Sequence, residues 1–141
     1  MEELKHYLHS HDDVLGVARA ADGRLSEFHR KGVIDLYDLV TNEPLFLAGG
    51  LLADRIVGRG AALLAMKGGV AQIHADLISE HALEVLKAAN VVVTYDRIVP
   101  HIINWTGDGM CLVESLTLHI DDPEEAYLRI GEFLEPRRSS L

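Results

Sequence analysis

The sequence predicts an α/β fold built on a mixed sheet, with an N-terminal hairpin followed by parallel crossovers. Three observations lead there. Between Gly49 and Tyr95 the apolar patterning reads helix, strand, helix, strand, an alternation that implies right-handed crossovers and parallel pairing. Asp22-Gly23 separates two β-type runs, residues 14–20 and 24–30, and supplies the positive φ of a tight hairpin turn. Residues 48–66 are apolar on nearly all sides at helical spacing, so a buried helix is expected to pack across the sheet.

The elements follow in order. Residues 2–9 read as a short helix, with Leu4 and Leu8 one turn apart. Its His6 and His9, with His11 after it, invite a metal reading, but no acid or cysteine shares a fixed spacing with them, and a solvated helix end is preferred. In the second hairpin strand Leu25 and Phe28 break strict alternation, which predicts a bulge or an early strand end. Val33, Leu36, Tyr37 and Val40 mark an amphipathic helix that Asn42-Glu43-Pro44 terminates. In the 48–66 helix, Leu52, Ala53, Ile56, Val57, Gly60, Leu63 and Leu64 form one broad face, and Asp54, Gly58, Ala61 and Ala65 form a mostly small second stripe. Gly68-Gly69 stops it.

Residues 70–77 form the next strand. Ser79 caps the following helix, Glu80 suits its first turn, and Asn90 closes it. The run 91–95 is continuous and β-rich, as in a strand covered on both faces. Residues 98–103 are expected to be helical and 104–109 to form a loop. Met110 and Cys111 then open a short helix, with an extended piece at 116–120. Asp122-Pro123-Glu124-Glu125 is a strong helix start.

Composition bounds the function. The 141 residues form one domain, 1–141, with an N-terminal helix in 1–10 and a frayed tail at 136–141. A net charge of -9 and the lack of any basic run argue against a nucleic-acid partner. One cysteine excludes an internal disulfide and suits a reducing compartment, and neither a membrane-length apolar run nor a signal pattern is present. A cytoplasmic protein with no membrane partner is expected.

Four stretches carry a family likeness: 53–62 (ADRIVGRGAA), 78–84 (ISEHALE), 95–104 (YDRIVPHIIN), and 107–111 (GDGMC) with 121–125 (DDPEE). Through them the chain resembles the DUF1893 family, uncharacterised proteins similar in fold to cytidine deaminases, in register from about Val14 to Gly131. The resemblance implies a three-layer α-β-α, cytidine-deaminase-like domain. The family usually has proline after the cysteine, where this chain has Leu112. Fold does not bring activity with it. Zinc deaminases place His or Cys with Glu at the start of the buried helix and two cysteines at the start of the next. Here the corresponding stretches are Asp54-Arg55 and Ser79-Glu80-His81, so neither a metal, a cofactor nor zinc-dependent deamination is expected.

Candidate site residues come from the same stretches. Asp54 is a hydrogen-bond or proton acceptor, and Arg55 or Arg59 grips an anionic group; against this stands a structural ion pair at a helix end. Gly49 and Gly50 could bare N–H groups to a phosphate, though two glycines make any tight turn. In the loop, Asn104, Asp108 and Gly109 are candidate ligand contacts, with Cys111 as the reactive atom; a small buried thiol and a core Trp105 are the structural alternatives. His81 would rather support a cap than a triad, and His74, Asp96 and His101 are unsupported pocket candidates.

The first functional expectation is a protein that binds a nucleotide-like small molecule in a cleft bordered by Asp54 and Cys111. The second is an enzyme in which Cys111 performs covalent group transfer on a nucleotide, which needs a base beside the sulfur. The third is a non-catalytic protein whose small-residue stripe and acidic surface serve homo-oligomer contacts.

Overall fold

The computed structural model describes residues 1–104, 107 and 109–140, the last three by backbone alone. The elements run α1 (Glu2–Ser10), β1 (Gly16–Arg19), β2 (Leu25–Phe28), α2 (Ile34–Asn42), β3 (Leu51–Val57), α3 (Arg59–Lys67), β4 (Gln72–Ser79), α4 (Glu80–Ala88), β5 (Val92–Val99), α5 (Leu112–Thr117) and α6 (Pro123–Leu134), with a terminal 3-10 segment, Glu135–Ser140, where a frayed tail was expected.

The five strands lie in the order β2-β1-β3-β4-β5. β1 pairs antiparallel with both β2 and β3, while β3, β4 and β5 are mutually parallel. The sheet is therefore mixed, with the expected hairpin and two helical crossovers. The hairpin turn is closed by the Gly23 amide on the Ala20 carbonyl, with Gly23 at φ 95°. β2 ends at Phe28, the early end that its broken alternation suggested.

The expected buried helix over 48–66 is corrected: the stretch is a strand followed by a helix. β3 takes Leu51–Val57, Gly58 stands extended, and α3 begins at Arg59. β3 lies in the middle of the sheet between β1 and β4 and carries buried residues on both faces, Leu52 in the main core and Ala53 under α1, so its sequence shows no clean alternation. Without a period of two, leucine and alanine content imitates a helix. Three smaller expectations are corrected likewise, the first being that the 91–95 run is covered on both faces: β5 is an edge strand and mostly exposed. β5 continues to Val99 and residues 98–103 contain no helix, and α5 reaches Thr117, which leaves no extended piece at 116–120.

Helices cover both faces, giving three layers. On one face, residues of α2, α3, α4 and α6 pack with Ala18, Leu52, Ile73 and Ala75 of the sheet into the main core. On the other, Leu4 and Leu8 of α1 close over Val14, Val17 and Ala53. The caps behave as their residue types require. Ser79 accepts from the Ala82 amide, Asp122 accepts from the Glu125 amide, and Asn90 takes the left-handed conformation at φ 60° after α4.

Candidate functional site

Parallel strands deliver their chain to the carboxyl edge of the sheet, and open α/β folds bind ligands there. Here β3 and β4 lead directly into α3 and α4, and α5 folds back over both helix starts. Glu114 of α5 is 1% exposed and fills the space between them. Its carboxylate accepts from the Arg59 amide at 2.6 Å, the Ser79 hydroxyl at 2.9 Å and the Ile102 amide at 2.6 Å. A carboxylate on the first amide of a helix is favoured by the positive end of the dipole. Gly58 leaves it room, since a Cβ there would lie 3.2 Å from Glu114 Oε1.

Arg59 completes this cluster and is only 2% exposed. Its Nε donates to the Thr117 and Ile120 carbonyls, its Nη2 to Ile120 and Asp121, and its Nη1 to the His81 carbonyl and Glu84. A planar five-donor fork can serve so many acceptors where an ammonium cannot. The guanidinium thus ties the start of α4 to the segment between α5 and α6. It is occupied with the fold, not held out for an anion.

Asp54 and Arg55 lie on β3, on opposite faces of the sheet. This corrects their expected place at a helix start. Arg55 turns to the α1 side, where Nε donates to the Val14 carbonyl and Nη2 to the carbonyls of Leu8 and His11. It fastens the C-terminal end of α1 to the sheet. Asp54 points to the main-core face, opposite Gly16 in register and against the place where a Gly16 Cβ would stand, beside Phe28. Burial pushes its carboxyl up to about 7; amide donors at Ile56 and Arg55 counteract this and the nearby Asp76 charge adds to it. Among the described residues no cation forms an ion pair with Asp54.

Gly49 and Gly50 are placed at the amino end of β3, the far end of the strand from α3, which corrects the phosphate-cradle expectation. Their amides already donate inside the protein, Gly49 to the Gly69 carbonyl at 3.0 Å and Gly50 to the Leu47 carbonyl at 2.8 Å. Gly49 sits at φ 69°, and a Cβ on Gly50 would come within 2.4 Å of the Arg19 carbonyl oxygen. Close backbone approach, not ligand access, accounts for glycine at position 50. Gly50→Ala is expected to cost about 2 kcal/mol through overpacking, read as a lower denaturant midpoint in the absence of any ligand.

The loop candidates fall into two groups. The Asn104 amide bonds the Gly109 carbonyl, and the Cys111 amide bonds the Ile102 carbonyl, so the loop folds back on itself. Cys111 is half-buried and is the N-cap residue of α5 without a side-chain cap bond. Trp105 and Asp108 lie outside the described residues. The described contacts of Asp54 and Cys111 share no residue. Cys111 adjoins Ile102, which faces Gly58, and Gly58 is four residues, roughly 13 Å of strand, beyond Asp54.

Of the three residues able to hold a metal, the sequence named His74 and Asp96 only as unsupported pocket candidates and did not name Asp76. Among the described residues, His74, Asp76 and Asp96 each bring a ligand atom within 4.8 Å of the others. Their signal was present as His-x-Asp on β4, because alternate residues of a strand share a face. The missing information was the register that sets β5 beside it.

One surface cleft, of about 210 Å³, runs between β2 and α2 and is lined by residues including Glu27, Phe28, Asp35, Asp38 and Glu43. Its carboxylates make it an unsuitable seat for an anion, although Arg30 pairs with Asp35 and Asp38.

Residues 4–134 match the family described as TM1506, Domain of unknown function (DUF1893). The chain belongs to the DUF1893 family. A crystal structure of a DUF1893 family protein (TM1506) from Thermotoga maritima is similar, with 27% sequence identity and a TM-score of 0.83 over 93% of this chain and 87% of that one. No curated protein matches the chain. DUF1893 membership identifies the fold and the family and indicates no activity. Among the described residues, no helix of this DUF1893 chain is long and apolar enough to cross a membrane.

Proposed function

We propose that this DUF1893 protein is a cytidine-deaminase-like fold without deaminase chemistry, which binds the nitrogenous portion of a nucleotide-like small molecule through Asp54. The observation that carries this reading is the Asp54 carboxyl. It is partly buried on β3, lacks an ion-pair partner among the described residues, and is pushed up to about 7. A group of this kind at neutral pH accepts hydrogen bonds from a base edge as carboxylate and donates one as acid.

The remaining chemistry narrows the ligand. Arg55 and Arg59, the cations expected to grip phosphate, are committed to backbone carbonyls. That commitment favours a nucleoside or free base over a nucleotide bearing phosphates. Where zinc deaminases hold their metal, at the starts of two adjacent helices, this chain has Gly58-Arg59 and Ser79-Glu80-His81 joined through Glu114. That carboxylate takes the position as a structural cap.

Asp54→Asn tests the reading because it keeps the shape and removes the charge. In a thermal-shift screen, nucleosides or bases with an N–H donor edge are expected to stabilise the natural protein, and Asp54→Asn to abolish that stabilisation. Indifference of the natural protein to all of them contradicts the proposal. The substitution also has a stability signature. The folded-state pKa is raised above the unfolded value near 4, so the native state binds the extra proton between about pH 4 and pH 7. Stability from this group is complete below pH 4 and declines as pH rises through 7. Asp54→Asn is therefore expected to flatten that decline and to be the more stable protein at pH 8, as measured by urea unfolding across the range.

A further inference from the structure

We propose that the α1-side face of the sheet holds a site for a first-row divalent metal ion, formed by His74 and Asp76 of β4 and Asp96 of β5, with His9 of α1 as the fourth donor. This proposal does not rest on the Asp54 reading: the cluster occupies the other face of the sheet and is tested by metal binding, although Asp76 also acts electrostatically on Asp54.

The register creates the cluster. Ala75 pairs with Tyr95 and Leu77 with Arg97, so Asp76 and Asp96 stand side by side on adjacent strands with their side chains on the same face. His74 is on that face one step earlier, opposite Thr94. One ligand atom from each of His74, Asp76 and Asp96 lies within 4.8 Å of the others. The His74 Nε2 is 3.1 Å from Asp76 Oδ1, and the His9 Nε2 approaches the same carboxylate, at 2.8 Å from Oδ1 and 3.0 Å from Oδ2. Two imidazole nitrogens thus converge on one carboxylate, with a second carboxylate next to it.

The support around the first donor is that of a metal-bound histidine. His74 is 1% exposed, so its ring is fixed. Its Nδ1 lies 2.9 Å from Thr94 Oγ1. Without metal, Nε2–H donates to the Asp76 carboxylate; a bound metal ion would take the place of that proton, leaving Nδ1–H to donate to the Thr94 hydroxyl, the tautomer that metal binding requires. Burial falls from His74 through half-buried Asp76 to exposed Asp96, which leaves an approach from solvent. Two imidazoles with two carboxylates suit zinc, cobalt, iron or manganese. Magnesium and calcium are disfavoured, since they take oxygen donors almost throughout.

The test is titration of the full-length, chelator-treated protein with Zn²⁺ by calorimetry and with Co²⁺ by visible absorption. One equivalent of either ion is expected to bind, with cobalt d–d bands that report nitrogen and oxygen ligation. Asp96→Asn, at an exposed position, and His74→Gln are each expected to weaken binding by about tenfold or more, and Thr94→Val by about tenfold through loss of the supporting hydrogen bond. Asp96→Asn also guards against misfolding, because circular dichroism and melting of the metal-free variant are expected to match the natural protein. Failure of the natural protein to bind either ion overturns the proposal. So does binding that survives undiminished in both folded Asp96→Asn and His74→Gln, which would assign the ion to other surface histidines.

Discussion

Glu114→Ala is expected to lower the unfolding free energy by about 4 kcal/mol, a value within the range for breaking a buried charged contact. The substitution leaves three donors, the Arg59 amide, the Ser79 hydroxyl and the Ile102 amide, without their acceptor in a site that excludes water. Each orphaned donor costs about 1–3 kcal/mol, and the three share one environment, so the sum is less than additive. A cavity between α5 and the starts of α3 and α4 adds to the loss. Glu114→Gln separates hydrogen bonding from volume. Its amide nitrogen must face a donor that the carboxylate satisfied, so a penalty of about 1–3 kcal/mol is expected even though the shape is retained. Chemical denaturation checks both, and a Glu114→Gln protein as stable as the natural one would show that the carboxylate is not needed as an acceptor.

Arg59→Met is expected to cost a similar amount, about 3–5 kcal/mol, from loss of the buried charge's hydrogen bonds. The carbonyls of Thr117, Ile120 and His81 lose their donor together, and the segment between α5 and α6 loses its tie to α4. The ion pairs matter less than the carbonyl bonds. Asp121 is 89% exposed and Glu84 74% exposed, and pairs that far into solvent contribute about 0–1 kcal/mol. Asp121→Asn is accordingly expected to be nearly silent, while Arg59→Lys falls well short of rescue because a single ammonium cannot reach the same carbonyls. Urea midpoints of the three variants decide the order. A large effect of Asp121→Asn with a small one of Arg59→Met would reverse the assignment.

The sequence made the outer architecture readable through local chemistry. Asp22-Gly23, Ser79, Asn90 and Asp122-Pro123 each mark a boundary because their side chains or backbone freedom act within a few residues of chain. The middle was misread for a physical reason. Leu51–Val57 has apolar residues on both faces, Leu52 in the main core and Ala53 under α1, so the period that distinguishes strand from helix is lost. That one error displaced the candidate site. With β3 read as helix, Asp54 and Arg55 came to a helix start that belongs to Gly58-Arg59, and Gly49-Gly50 came to an N-terminus that is the entrance to a strand.

Long-range partners were illegible for a second reason. Glu114 meets Ser79 across 35 positions, and His9 meets Asp76 across 67. No spacing in the chain announces either meeting. His74 and Asp76 share a strand face by simple alternation, yet only the β4–β5 register brings Asp96 to them. Arg59 illustrates the opposite limit. Its residue type suited an anion, and its burial among carbonyls assigns it to the fold.

The central claim concerns the ionisation and availability of Asp54, and carbon-13 NMR of its side-chain carboxyl follows both directly. A titration midpoint near 7 is expected in the free protein. Saturation with a nucleoside that donates N–H groups is expected to lower it, because donors to the carboxylate favour the charged form. A midpoint in the ordinary carboxylate range near 4, unchanged by every nucleoside or base tested, would contradict the account.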